Sequence, residues 1–135
     1  MTKFLLTVCA FGLICFVDVA GAQELPPANF APVVLSEQKT QVWRTFNLNP
    51  DCSAAGVIVA KLTKEGKGQV EFEENLGFST YPKNWQQYGC NTQQTAGLSI
   101  FYTSPTGFKG TDSFEIEIVN GRGQSRKASF RVRVK

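Results

Sequence analysis

The sequence predicts an all-β domain, a sandwich of about seven strands closed by one disulfide. Apolar residues recur with a period of two along most of the chain, which is typical of half-buried strands. Turn residues interrupt this pattern at short intervals, and no stretch carries a helical period. Many short strands separated by turns favour a sandwich over a barrel or an α/β fold.

The predicted strands follow a proline-rich segment, 23–31, which we expect to be an extended lead-in because proline disfavours helices and inner strands. The sandwich domain itself is predicted over 32–135. The third strand is nearly continuous in apolar and β-branched residues, which predicts an inner strand. The seven strands are expected at 32–37, 41–49, 56–63, 69–73, 98–103, 113–120 and 128–135.

Residues 1–22 have the character of a cleavable secretory signal. Lys3 supplies a short positive region, the run 4–17 is apolar and uncharged, and 20–22 has the small residues that signal peptidase reads. The apolar run is shorter than the roughly 20 residues that a transmembrane helix needs. We therefore expect cleavage after Ala22, no membrane insertion afterwards, and a periplasmic or secreted protein.

Removal of the signal would leave two cysteines, Cys52 and Cys90. In an exported protein such a pair indicates a disulfide, because the compartments outside the cytoplasm are oxidising. Closure of a loop of about 40 residues would stabilise the domain by roughly 3 to 4 kcal/mol in the chain-entropy model. The sequence therefore predicts one disulfide with only one possible pairing.

One segment, 77–97, has no strand pattern and is rich in Asn, Gln and Thr. An irregular segment of about 20 residues is uncommon in a small domain and is often functional. Aromatic and amide side chains together can stack on sugar rings or anchor a protein partner. The alternative is a small satellite core beneath a long loop. The candidate binding residues are Tyr81, Trp85, Tyr88 and Asn91.

The C-terminal third contains a distinctive run with a tyrosine and a proline, Gly-Phe-x-Gly-x-Asp-Ser-Phe, a strand, a glycine turn and an alternating final strand. This run resembles the end of bacterial immunoglobulin-like and cadherin-like repeat domains. The resemblance covers about the last 35 residues and implies an immunoglobulin-like sandwich. The matching residues are Tyr102, Pro105, Gly107, Phe108, Gly110, Asp112, Ser113, Phe114, Gly121 and Gly123.

Two features depart from that family. Its domains usually occur in tandem arrays, whereas this chain carries one copy with its own signal, a layout similar to small single-copy periplasmic proteins of bacteria. Cys90 also precedes the Tyr102 strand, so the predicted disulfide is placed unlike the inter-sheet bridge of antibody domains.

The residues of the run also have a physical interpretation. Asp112 can accept hydrogen bonds from loop N–H groups, and the glycines permit positive φ in the loop.

Catalytic chemistry has little support in the sequence. The chain has no histidine, and both remaining cysteines are expected to be oxidised. Glu71, Glu73 and Glu74 lie close together and could supply the two carboxylates of a glycosidase, but they fit the solvent face of an amphipathic strand better. No EF-hand-like loop occurs, so we expect no cofactor and no metal site.

The last strand is basic on one face, where Arg131, Arg133 and Lys135 alternate with apolar residues. This face could bind nucleic acid or an anionic glycan. The simpler interpretation pairs these bases with Glu115 and Glu117 across a hairpin and lets them protect a sheet edge. With a formal charge of only +3, we favour the second interpretation and expect no nucleic-acid partner.

The sequence leaves two functions open. The first is an exported, non-enzymatic binding module that recognises a protein or glycan at the cell envelope through 77–97. The second is a structural or assembly role in which a strand edge joins a larger envelope complex, suggested by a free N-terminal arm. A hydrolase is the least expected function.

Overall fold

A computed structural model of the protein describes residues 23–135, together with the backbone of 6–8 and 14–16. Two three-residue strands, β1 (Leu6–Val8) and β2 (Ile14–Phe16), pair antiparallel in a separate two-stranded sheet. The rest of the predicted signal peptide, 1–22, and its cleavage site after Ala22 lie outside the described residues.

Eight strands and one short 3-10 helix follow, and the helix spans Gln86–Thr92. The strands lengthen toward the C-terminus, where four of them have ten residues each. The strands are β3 (Ala28–Phe30), β4 (Val33–Val34), β5 (Thr40–Thr45), β6 (Val59–Lys64), β7 (Gln69–Phe78), β8 (Gln94–Thr103), β9 (Gly110–Val119) and β10 (Ser125–Val134).

The eight strands form two sheets packed face to face, which confirms the predicted all-β sandwich. One sheet has the order β5–β8–β7, and the other has the order β3–β10–β9–β6, with β4 also paired to β10. In immunoglobulin domains the second, fifth and fourth strands share one sheet, and the third, sixth and seventh share the other. If β3 and β4 count as the first strand, the other six strands divide in the same way, so the topology is immunoglobulin-like. The first strand differs, because it lies beside β10 in the second sheet and not beside the second strand.

The lead-in 23–31 is part of a sheet rather than a free arm. β3 and β4 pair in parallel with β10, with Phe30 opposite Phe130 and Val34 opposite Val134. Pairing begins still earlier, because Leu25 N donates to Ser125 O at 2.7 Å. The prediction of a single first strand over 32–37 was therefore wrong: two short strands are interrupted at Ala31 and Pro32.

β6 is an edge strand, which corrects the prediction of an inner strand over 56–63. It pairs only with β9 in its sheet. Part of the apolar run 56–63 faces solvent, since Val57 is 67% and Val59 is 59% exposed. Apolar composition alone could not distinguish a strand covered on both faces from one whose outer face carries valines.

The segment 77–97 is irregular only over 79–93, because β7 continues to Phe78 and β8 starts at Gln94. The glycines at the two ends of the predicted segment, Gly77 and Gly97, lie within β7 and β8. Side chains of β5 and the residue after it pass close to them: a Cβ at Gly77 would overlap the Arg44 guanidinium, and one at Gly97 would lie 2.7 Å from the Phe46 ring.

A row of aromatic rings runs through the core from one sheet to the other and back. Tyr102 of β8 stacks on Phe114 at 5.9 Å between ring centroids, and Phe114 stacks on Phe130 at 4.5 Å. Phe130 meets Phe30 at 4.9 Å, and Phe30 meets Trp43 of β5 at 4.7 Å. Buried aromatic pairs contribute about 0.5 to 1.5 kcal/mol each beyond their buried area. The row of rings therefore stabilises the packing of the two sheets against each other.

Asp112 is buried in β9 and bonds a loop, as the sequence predicted, although the loop is the β6–β7 turn. Its carboxylate accepts hydrogen bonds from Lys67 N and Gly68 N, each at 2.9 Å, and from Tyr102 Oη at 2.7 Å. Burial alone would raise the pKa of Asp112, but these bonds and one from Ser113 N outweigh it and lower the pKa. Burial and the adjacent carboxylate raise the pKa of Tyr102.

We expect Tyr102→Phe to lower the free energy of unfolding by about 1 to 3 kcal/mol, since it removes a hydrogen bond to a buried carboxylate. Ionised Asp112 stabilises the fold above its unfolded pKa, and this stabilisation is lost as pH falls through the lower folded pKa. The variant raises the folded pKa, so acid unfolding should begin at a higher pH. Urea unfolding at neutral and acid pH measures both effects.

The matched control is Tyr88→Phe, which removes the same hydroxyl from an exposed tyrosine and should leave both curves unchanged. Equal stability of Tyr102→Phe and the wild type would show that the Tyr102–Asp112 bond does not support the fold.

Candidate functional site

The 3-10 helix Gln86–Thr92 is held to the β5–β6 connection by the predicted disulfide, which the structure confirms. Cys52 and Cys90 are joined with a Cα–Cα distance of 5.4 Å, and Cys90 is fully buried. Cys52 lies in a tight turn with φ of +68°, where its N–H donates to Asn49 O at 2.9 Å. The disulfide therefore fixes one end of 79–93 to a rigid turn.

Asn91 closes the segment from within. Its Oδ1 accepts hydrogen bonds from Ser79 Oγ at 2.8 Å and from Tyr81 N at 2.9 Å, and its Nδ2 donates to Tyr81 O at 2.9 Å. Three hydrogen bonds to the loop occupy most of the capacity of one amide group. Asn91, which the sequence suggested as a binding residue, is placed here as a clamp on the backbone around Tyr81.

Tyr81 and Trp85 form a stacked pair, with ring centroids 5.8 Å apart and ring planes 30° apart. Tyr81 is half-buried, and its Oη accepts a hydrogen bond from Leu48 N at 3.2 Å. Burial raises the pKa of Tyr81, and the bond from Leu48 and the nearby positive Arg122 offset this in part. Trp85 is 53% exposed, so the pair presents a supported aromatic surface to solvent.

This aromatic pair lines a cleft of about 540 Å³ at one end of the sandwich. The β9–β10 turn forms the opposite wall, held by hydrogen bonds from Gln124 N and Arg122 N to Asn120 Oδ1 at 3.1 and 3.0 Å. The structure thus brings Tyr81 and Trp85 together in the cleft. Tyr88, 43% exposed on the 3-10 helix, lies outside the lining.

The cleft has an electrostatic character that the sequence analysis missed. Its charged lining residues are Arg44, Arg122 and Arg126, and none of its lining residues is Asp or Glu. Arg122 and Arg126 precede the predicted last strand, 128–135, and were not among the candidate binding residues. One signal in the sequence could have located Arg126: it occupies an inward position of β10, in the alternating series that continues with buried Ala128 and Phe130.

The other charged groups weighed from the sequence do not line this cleft, and some of them form ion pairs elsewhere. Glu71 and Glu73 both form ion pairs with Lys39 on the outer face of the three-stranded sheet. Glu117 forms an ion pair with Lys61 of β6 at 2.8 Å and lies opposite Lys127. Arg131 and Arg133 lie opposite Ser113 and Thr111, so their predicted pairing with Glu115 and Glu117 was wrong. β10 is also no sheet edge, because β3 and β4 cover its other side.

Neither a protein-family model, nor a curated protein, nor a solved structure matches the chain. Among residues 23–135 and the two short N-terminal strands, no group of His, Cys, Asp and Glu side chains could hold a metal ion. No helix in that part of the chain is long and apolar enough to cross a membrane.

We expect the double variant Cys52→Ser, Cys90→Ser to lose about 2 to 4 kcal/mol of unfolding free energy, because the unfolded chain regains the entropy of a closed loop. Besides this loss of global stability, the segment 79–93 should open more readily on its own. In hydrogen exchange under native conditions, amides of 79–93 should exchange much faster, while those of β9 should keep their rank as the slowest. Unchanged exchange in 79–93 would contradict the role of the disulfide in fixing this segment.

Proposed function

We propose that the protein is an exported, non-enzymatic binding module of the cell envelope that recognises a glycan or protein through the cleft beside 79–93. The observation that carries this proposal is the Tyr81–Trp85 pair, which is exposed on one face and held from behind by Asn91 and the disulfide. A rigid aromatic surface loses little conformational entropy on binding, so it suits an anchor residue.

Export to the periplasm or the exterior is part of the same proposal. It rests on the apolar run 4–17 with its small residues at 20–22 and agrees with the disulfide, which persists in oxidising compartments. Kinship with bacterial immunoglobulin-like and cadherin-like domains is also proposed. Two residues of the shared run, Tyr102 and Asp112, are hydrogen-bonded partners in the core, and Gly107 and Gly110 both have positive φ.

A second candidate function is assembly into a larger complex through a strand edge. The free N-terminal arm that suggested this role is instead paired with β10. The edge strands β6 and β7 support the assembly role better. Exposed apolar side chains lie on these strands or directly beside them: Val57, Val59, Leu76 and Phe78. Apolar side chains beside unpaired backbone groups are typical of surfaces that receive another strand.

The two functions predict different effects of two aromatic substitutions. Trp85→Ala should weaken binding of the full chain to isolated cell envelopes of the source organism by tenfold or more, since truncation of an aromatic anchor costs about 2 kcal/mol. The control is Phe78→Ala, a similarly exposed aromatic residue that does not line the cleft. Co-sedimentation of labelled protein with envelopes measures the affinity.

Pre-treatment of the envelopes separates the two partner classes: periodate oxidation destroys glycans and protease treatment removes proteins. Loss of binding in Phe78→Ala, with Trp85→Ala unchanged, would replace the cleft proposal with the assembly role. If neither variant binds less than the wild type, both surfaces are excluded as the contact.

A further inference from the structure

We propose that the cleft takes an acidic glycan, with a sugar ring against Tyr81 and Trp85 and its carboxylate or phosphate on Arg122 and Arg126. The proposal rests on the binding function above and specifies its ligand. Three observations carry it: the inward position of Arg126, the absence of a counter-charge in the cleft lining, and the combination of arginines with an aromatic surface.

Arg126 occupies a position that the strand pattern assigns to an apolar residue. It lies opposite Ile118 of β9 and begins the inward-facing series of β10. The later members of that series, Ala128, Phe130 and Val132, are completely or almost completely buried. A cation on the inner face of a sandwich loses much of its hydration, which is costly unless another group compensates it.

No compensating group is present among the described residues. Arg126 Nε is buried and has no hydrogen-bond partner. None of the ion pairs among residues 23–135 includes Arg126 or Arg122. Arg44 differs, because its guanidinium donates to Ser99 Oγ at 2.8 Å and to Asn75 Oδ1 at 2.7 Å. Arg44 is therefore held in place and adds its charge, while Arg122 and Arg126 keep their donors for a ligand.

The planar shape of the guanidinium determines which anionic groups its N–H donors can bind. A guanidinium presents N–H groups in a planar fork that matches a carboxylate or a phosphate and binds it with two parallel hydrogen bonds. An arriving anion would satisfy the buried Nε and neutralise a partly buried charge. Both changes favour the bound state over the free protein, so the anion would bind more tightly here than on an exposed arginine.

The shape and lining of the cleft favour a sugar over an acidic protein surface. A volume of about 540 Å³ lies in the range of about 300 to 1,000 Å³ that is usual for small-ligand sites, whereas protein interfaces bury broad surfaces. Four amide side chains join the aromatic pair in the lining: Asn47, Gln87, Asn120 and Gln124. Asn47 and Gln87 each donate through the amide nitrogen to a backbone carbonyl, so their side-chain carbonyl oxygens remain acceptors for sugar hydroxyls.

The test compares acidic trisaccharides with a neutral one. Isothermal titration of the full chain at low salt would use tri-galacturonate, its carboxyl-reduced counterpart, and a trisaccharide that carries one phosphate monoester. We expect one of the two acidic ligands to bind at least tenfold more tightly than the neutral one, and which of them binds identifies the anionic group. That affinity should fall as salt is added, because the contact is between charges.

Variants separate this inference from the function on which it rests. Arg126→Gln should abolish the preference for the acidic ligand, while Arg131→Gln, the same charge change on the exposed outer face of β10, should keep it. Trp85→Ala should weaken binding of acidic and neutral ligands alike. Arg126→Gln should also melt at or above the wild-type temperature without ligand, which shows that its binding defect is not caused by unfolding.

Equal binding of acidic and neutral ligands, with Trp85→Ala still defective, would overturn the acidic-glycan assignment and leave the binding function standing. Binding of a polyglutamate peptide in preference to every trisaccharide would overturn it in favour of an acidic protein partner. If no probe binds and Trp85→Ala retains wild-type binding to cell envelopes, both the assignment and the function are wrong.

Discussion

The carboxylate of Asp112 joins the two sheets and the turn that crosses between them. It extends from β9 of one sheet, accepts a hydrogen bond from Tyr102 of the other, and accepts two more from the N–H groups of Lys67 and Gly68. A buried carboxylate requires several donors at once, so none of the three elements can shift independently. β6 and β7 diverge from this turn, and the position of everything that β7 carries depends on it.

The candidate site lies at the other end of the sandwich. Asp112 pairs with Val132, whereas Arg126 pairs with Ile118, so six residues, or about 20 Å of extended strand, separate the carboxylate from the cleft. β7 and β8 span this distance as a long hairpin whose tip is the segment 79–93. The tip extends beyond the core, and the disulfide and Asn91 replace core packing there. Rigidity of the segment 79–93 therefore comes from these local bonds, while core residues such as Ile118 and Trp43 line the opposite part of the cleft.

Much of the fold could be predicted from the sequence because β9 and β10 alternate regularly and the two cysteines allow one pairing. The errors arose where the residue type had two explanations. The missing strand pattern over 77–97 suggested a loop, yet Gly77 and Gly97 lie in strands and leave room for Arg44 and Phe46, a tertiary requirement that no local pattern records. The valines near β6 suggested burial, yet they cover the outside of an edge strand. At the site, composition located Tyr81 and Trp85, but only coordinates reveal that Asn91 bonds its own loop.

Arg126 places a charged side chain at a position of β10 that faces the interior of the sandwich. Each other inward position of β10 holds a residue that buries well, and an apolar side chain at 126 would extend the core with no donor left unsatisfied. Sequences that specify a fold agree with it at nearly every level, and exceptions concentrate where a protein performs its function. A structural role for the cation would require a partner within the protein, and its Nε has none among the described residues. The proposed anion would supply this partner from outside and would explain why a cation stands at a position that suits an apolar residue.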